Sequence, residues 1–159
     1  MDRHPPYGEW SDDQEQNDNF CRNRKTFFPY SSVVVIMSAA DINFFFLMRE
    51  QIKLYHWQTY QFARHKATDD VLSALDGSID TYVEIYMGKY GRPKVTTSTN
   101  TVKIQNMADK TAAKFIKTCI AYLQGPLVKR LKSTDTDLIN VRDEMLAELN
   151  KLLYLYTLE

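Results

Sequence analysis

Helix-breaking residues are few. The 159 residues include five Gly and five Pro, and inside the segments that read as helices only Gly77 and Gly125 occur. That scarcity favours an all-α chain. Cysteine is scarcer still. Cys21 and Cys119 are too few for a disulfide framework, which points to a reducing interior and a cytoplasmic setting. An excess of charge is also missing, since 20 Lys/Arg balance 20 Asp/Glu. Overall charge therefore gives no reason to expect nucleic acid or an anionic membrane as partner. Long apolar runs are absent. Ser31–Ile36 (SSVVVI) is far too short to span a bilayer, and it comes too late, after too mixed a start, for a secretory signal. Missing motifs exclude chemistry as well. No Glu-x-x-His occurs, so a di-iron centre built inside one bundle is not expected. Nor is there a zinc-type Cys/His spacing, a Gly-rich phosphate loop, or a Ser or Cys nucleophile with a base.

What is present divides at Met37. Residues 1–36 hold Pro5-Pro6, a run rich in Asp, Glu, Gln and Asn, and no periodicity, and are expected to be disordered or loosely attached. Residues 37–159 hold four helical segments. The first runs from Asp41 to about Thr59, with Ser38 or Asp41 as N-cap, and Ile42, Phe45, Phe46, Arg49, Ile52, Lys53 and His56 follow one side of it. The third runs from Met107 to about Leu123, with Gly125-Pro126 interrupting it. The fourth, capped by Thr134 or Asp135, carries Leu138, Val141, Met145, Leu149 and Leu152 almost to the chain end. Between the second and third, Gly88, Gly91 and Pro93 end a helix and a Thr/Ser-rich run follows. That connection is about fifteen residues long, more than a simple turn needs.

The second helix organises the rest. In His65–Glu84, Val71, Leu72, Leu75, Ile79, Tyr82 and Val83 mark a buried face, continued by Tyr86. The opposite face carries His65, Asp69, Ser73, Asp76, Asp80 and Glu84, with no Lys or Arg between Ala67 and Gly88. Like charges four apart, as in Asp76/Asp80 and Asp80/Glu84, destabilise a helix by about 0.2–0.5 kcal/mol each. A bound cation would remove that cost. His65/Asp69 and Asp80/Glu84 are both i,i+4 pairs on one stripe, with midpoints roughly 22 Å apart along the axis. One ion cannot reach both pairs in one chain. Two such helices packed antiparallel about a two-fold axis near Ala74 and Leu75 bring each pair against its complement, giving two equivalent sites. The small residues Ser73, Ala74, Gly77 and Ser78 would permit the approach.

The pattern His-x3-Asp-x10-Asp-x3-Glu (His65, Asp69, Asp80, Glu84), preceded by His56-Trp57, resembles the ferroxidase motif of Dps mini-ferritins. The resemblance implies a ferritin-like four-helix bundle, up-down-down-up. It implies a long crossover between helices 2 and 3 at about Lys89–Thr101, often with a short helix in it. It further implies iron, held by His56, His65 and Asp69 of one chain and by Asp80 and Glu84 of its neighbour, in a dodecameric shell that uses peroxide or oxygen. Trp57 would be an electron donor or a packing residue. Nine steps of 100° in an unbroken helix would leave His56 and His65 on opposite faces, so ligation by both requires a break within Gln58–Arg64. That connection is shorter than the family's and has no Gly.

Two functions are therefore expected as alternatives. One is ferroxidase activity (an oxidoreductase acting on metal ions) with iron storage and protection from oxidative damage. The other is a ferritin-like bundle without that activity, acting as a structural or binding protein. Residues 1–36 hold four Lys/Arg against six Asp/Glu, unlike a DNA-binding Lys-rich arm. No DNA and no membrane partner is expected.

Overall fold

The computed structural model describes Met37, residues 39–95 and residues 101–158. Residues 1–36, the expected extension, lie outside the described residues, as do Ser38, residues 96–100 and Glu159. Among the described residues the chain is all-α, with no strand. Its helices are α1 (Ala39–Gln58), α2 (Phe62–Tyr90), α3 (Asp109–Tyr122) and α4 (Thr136–Leu155).

The apolar stripes meet in one core. Phe45, Met48 and Ile52 of α1 meet Val71, Leu75 and Tyr82 of α2, Ile116 of α3, and Leu138, Met145 and Leu149 of α4. Each such side chain stabilises by about 1.5–3 kcal/mol when fully buried. α2 packs on α1 and α4, and α3 packs on α4 and more lightly on α1. End-to-end contacts give the directions. Arg49 reaches Asp76 and His56 reaches His65, so α1 and α2 are antiparallel. Lys89 reaches Asp137, and Thr68 reaches Tyr156, so α2 and α4 are antiparallel. Tyr122 reaches Asp41, and Tyr55 reaches Asp109, so α1 and α3 are antiparallel too.

Several element ends differ from expectation. Asp41 is no N-cap. It lies inside α1, buried, and accepts hydrogen bonds from Tyr122 and Arg130. Gly88 stays helical and Gly91 ends α2, with φ +88° and its N–H donating to the Met87 carbonyl. The expected interruption at Gly125-Pro126 is a change of helix type after α3 ends at Tyr122. Pro126 has no N–H for an α-helical bond, and the chain widens into a π-type turn over Leu123–Leu127, then a 3₁₀ turn over Val128–Arg130. Asp135 sits at the N-cap of α4, yet its carboxylate bonds elsewhere, accepting from the Tyr90 hydroxyl at 2.7 Å and the Lys132 N–H at 2.8 Å. On α1, Phe46, Arg49 and Lys53 are not core. They form a wet edge, because the two cations reach carboxylates of α2.

The described parts of the connection, 91–95 and 101–108, carry no helix, and 96–100 of the expected crossover lie outside the described residues. Its second half is tied to α1. Buried Gln51 accepts the Gln105 N–H at 2.9 Å and donates to the Gln105 carbonyl at 2.6 Å. Gln58 accepts the Met107 N–H at 3.1 Å.

Candidate functional site

Helix α1 ends at Gln58 and α2 starts at Phe62, so Thr59, Tyr60 and Gln61 form the break. The Thr59 N–H still bonds the Tyr55 carbonyl at 3.0 Å, and the Thr59 hydroxyl accepts the Gln61 N–H at 3.2 Å. This tight corner folds α2 back along α1. It brings His56, in the last turn of α1, onto His65, in the first turn of α2, with ring centroids 3.9 Å apart and planes 23° off parallel.

Each imidazole bonds the other's backbone. His56 Nδ1 lies 3.0 Å from the His65 carbonyl, and His65 Nδ1 lies 2.9 Å from the His56 carbonyl. A carbonyl oxygen can only accept, so both Nδ1 atoms carry hydrogen. In the neutral rings both Nε2 atoms then keep a lone pair. Such carbonyl bonds fix tautomer and ring orientation where a His binds metal. His56 Nε2 lies 3.8 Å from Asp69 Oδ1, with the His56 side chain 8% and that of Asp69 51% exposed. Two stacked imidazoles thus share this corner, and the carboxylate of Asp69 stands beside one of them, His56. This donor set suits a first-row metal with imidazole and oxygen preference, iron included.

The other candidates lie elsewhere. Asp80 and Glu84 are exposed on α2 and take no ion pair among the described residues. Asp80 is eleven residues past Asp69, about 16 Å along the axis. Within this chain they do not join the His pair, and no three of His, Cys, Asp and Glu among the described residues converge enough to hold a metal. Trp57 is 68% exposed, with Lys53 Nζ 5.6 Å from its ring centroid.

Two features escaped the sequence reading. Lys53 Nζ lies 3.7 Å from Asp69, and Arg49 Nε lies 2.6 Å from Asp76, so α1 supplies cations to the acidic face of α2. Treating α1 and α2 as a hairpin would have exposed these pairings. The second is a polar cluster under the corner. Tyr55 donates to Asp109 at 2.7 Å, Arg64 donates to the Tyr156 carbonyl at 2.8 Å and stacks over the Tyr156 ring, and Thr68 bonds the Tyr156 hydroxyl at 3.1 Å. Burial, with Asp109 adding to it, pushes the Tyr55 phenol up. Burial does the same for Tyr156, so both phenols stay neutral hydrogen-bonders across ordinary pH. These bonds tie α1, α2, α3 and the end of α4 together beneath the two His.

No curated protein and no solved structure matches the chain. A family model does, over residues 56–156, from the first His of the pair to the Tyr156 that closes the cluster beneath it. That is more than half of the chain, and the protein belongs to this family of unknown function, DUF5856.

Proposed function

We propose that this chain is a Dps-type, ferritin-like subunit that oxidises Fe(II) at sites shared between two chains and stores the product. One observation carries the reading: His56 and His65 are stacked at the α1–α2 corner with both Nδ1 atoms committed to carbonyls, which leaves both Nε2 atoms free, that of His56 3.8 Å from Asp69. Asp80 and Glu84, unpaired on the same stripe of α2, are the complement a second chain would bring. Phe46, Ile79 and Val83 line a groove beside Asp80, apolar surface that such a pairing would cover. The helix directions support the bundle assignment. α2 and α3 each run antiparallel to α1, so the link from Gly91 to Ala108 must return along the bundle. Eighteen residues can span up to about 60 Å, ample for a crossover. The resemblance adds a dodecamer, peroxide or oxygen as oxidant, and a cytoplasmic setting.

In this reading iron is the substrate. His56, His65 and Asp69 bind it from one side and the partner's carboxylates from the other. The hard oxygen donors favour the ferric product. The test is co-assembly. Asp69→Ala chains and Glu84→Ala chains should each lose most rapid Fe(II) oxidation alone. In a mixed dimer one site collects both defects and the other keeps every ligand, so mixing should restore part of the activity. No rescue in verified mixed oligomers overturns the shared site.

A second reading has its own support. Lys53 already faces Asp69 and Arg49 already bonds Asp76, so the acidic face is partly neutralised without a metal. That favours a ferritin-like bundle acting as a structural or binding protein. Anaerobic Fe(II) titration followed by peroxide, with size-exclusion chromatography of the same sample, separates the two.

A further inference from the structure

Phe44 of α1 and Tyr122 of α3 stack face to face, with ring centroids 3.8 Å apart and planes 13° off parallel. Both line an open groove between the two helices, walled by Ala40 and Leu47 on α1 and by Phe115 and Ala121 on α3. Ala40, Phe44 and Leu47 fall at i, i+4 and i+7, so the groove follows one face of α1 for about 10 Å. Among the described residues, none of α2 lines it. It therefore differs in its walls from the His56/His65 corner and from the acidic stripe.

We infer that this groove is a docking site for the chain's own Val34–Ile36, laid back along α1 as an extended strap. Position comes first. Helix α1 starts at Ala39, next to the first wall residue, Ala40. Met37 is 2% exposed and belongs to the core, so the chain already lies against the bundle where that segment ends. Val34 also opens the compact unit that holds the helices, Val34–Glu159. Length agrees, since three extended residues cover about 10 Å, as the α1 wall does. Chemistry agrees too. Val and Ile, branched at Cβ, favour extended backbone over a further turn of α1. Ser31–Ile36 is too short to cross a bilayer, and this groove offers its apolar side chains another way out of water. Residues 96–100, Thr-Thr-Ser-Thr-Asn, have no large apolar side chain to fill it. A second copy is the weaker match. It would have to bind from solution, whereas Ile36 is tethered three residues from Ala39, at an effective concentration on the order of mM. The inference stands without the iron reading. The expectation of loose attachment for residues 1–36 rested on the polar run upstream, and it narrows to leave these three out.

The test puts the photoreactive residue p-benzoylphenylalanine at position 35 of the full chain and locates its crosslinks by mass spectrometry after irradiation. Crosslinks should form within one chain, to residues 40–47 of α1 or 115–122 of α3, and a denaturing gel separates them from crosslinks between chains. Ala121→Glu changes an exposed wall position and should cut that crosslink yield several-fold with helix content unchanged by circular dichroism. In the chain without the photoreactive residue, Val34→Ser/Val35→Ser/Ile36→Ser should lower the melting temperature by at least about 5 °C, because three buried apolar side chains are lost. Four results overturn the inference: crosslinks between chains only, as a second copy in the groove would give; no crosslink to either wall; a yield that Ala121→Glu leaves unchanged; or a melting temperature that the serine substitutions leave unchanged.

Discussion

Gln51 carries more of the architecture than its polarity suggests. It is buried in α1, and its amide satisfies both backbone groups of Gln105. A partnerless buried polar group costs about 1–3 kcal/mol. Gln51→Leu orphans two at once, so urea unfolding should show a loss on the order of 2–4 kcal/mol at an unchanged m-value. Gln51→Glu keeps the acceptor for the Gln105 N–H but sets a carboxylate against the carbonyl, and should also destabilise. His56 and His65 obey the same accounting. Their Nδ1 bonds are to backbone, so residue type and spacing marked them as candidates, while the tautomer that frees Nε2 depends on where the corner puts two carbonyls.

Among the elements, the start of α4 is held by Asp135. Its carboxylate is buried, which by itself raises a carboxyl pKa. The Lys132 N–H, the Tyr90 hydroxyl and Lys89 outweigh that and hold it below the usual carboxylate range. A depressed folded pKa contributes stability that is present above the unfolded value and lost as pH falls through the folded one. Acid titration should therefore destabilise α4 below about pH 4, and Asp135→Asn should flatten that part of the stability–pH curve while lowering stability at neutral pH. The end of α2 depends on Gly91, at φ +88° and ψ 176°, a region that only Gly occupies readily. Nothing in the chain stands within 4 Å of a Cβ built there, so Gly91→Ala should cost only the backbone strain, about 1–3 kcal/mol in thermal or urea melts.

For the whole molecule, Gly77 separates folding from assembly. It is helical, and an added Cβ meets nothing of this chain within 4 Å. Gly77→Ala should stabilise the subunit by about 1 kcal/mol. If α2 packs against its copy near Ala74, the same methyl enters the interface. Sedimentation should then show weaker association in a more stable chain. Stronger or unchanged association would count against pairing through that part of α2.

Apolar spacing and scarce breakers sufficed for the class and for the α2 core face, because a period of 3.6 is a local property of the chain. The break between His56 and His65 was also legible, since nine residues cannot otherwise bring the two to one side. Element ends were less so. The local habit of Asp41 is to cap, yet Arg130 and Tyr122 hold it inside α1; Asp135 keeps the N-cap position of α4 while Tyr90 and Lys89 take its carboxylate; and the interruption at Gly125-Pro126 takes the form of a widened turn. The sequence by itself determined which side chains carry donors and charge. Tertiary packing decided which charges cancel. It set Arg49 and Lys53 against carboxylates of α2 and left the lysines of α3 facing water, because the alignment of one helix with another depends on the packing of their apolar faces and not on the charges either displays.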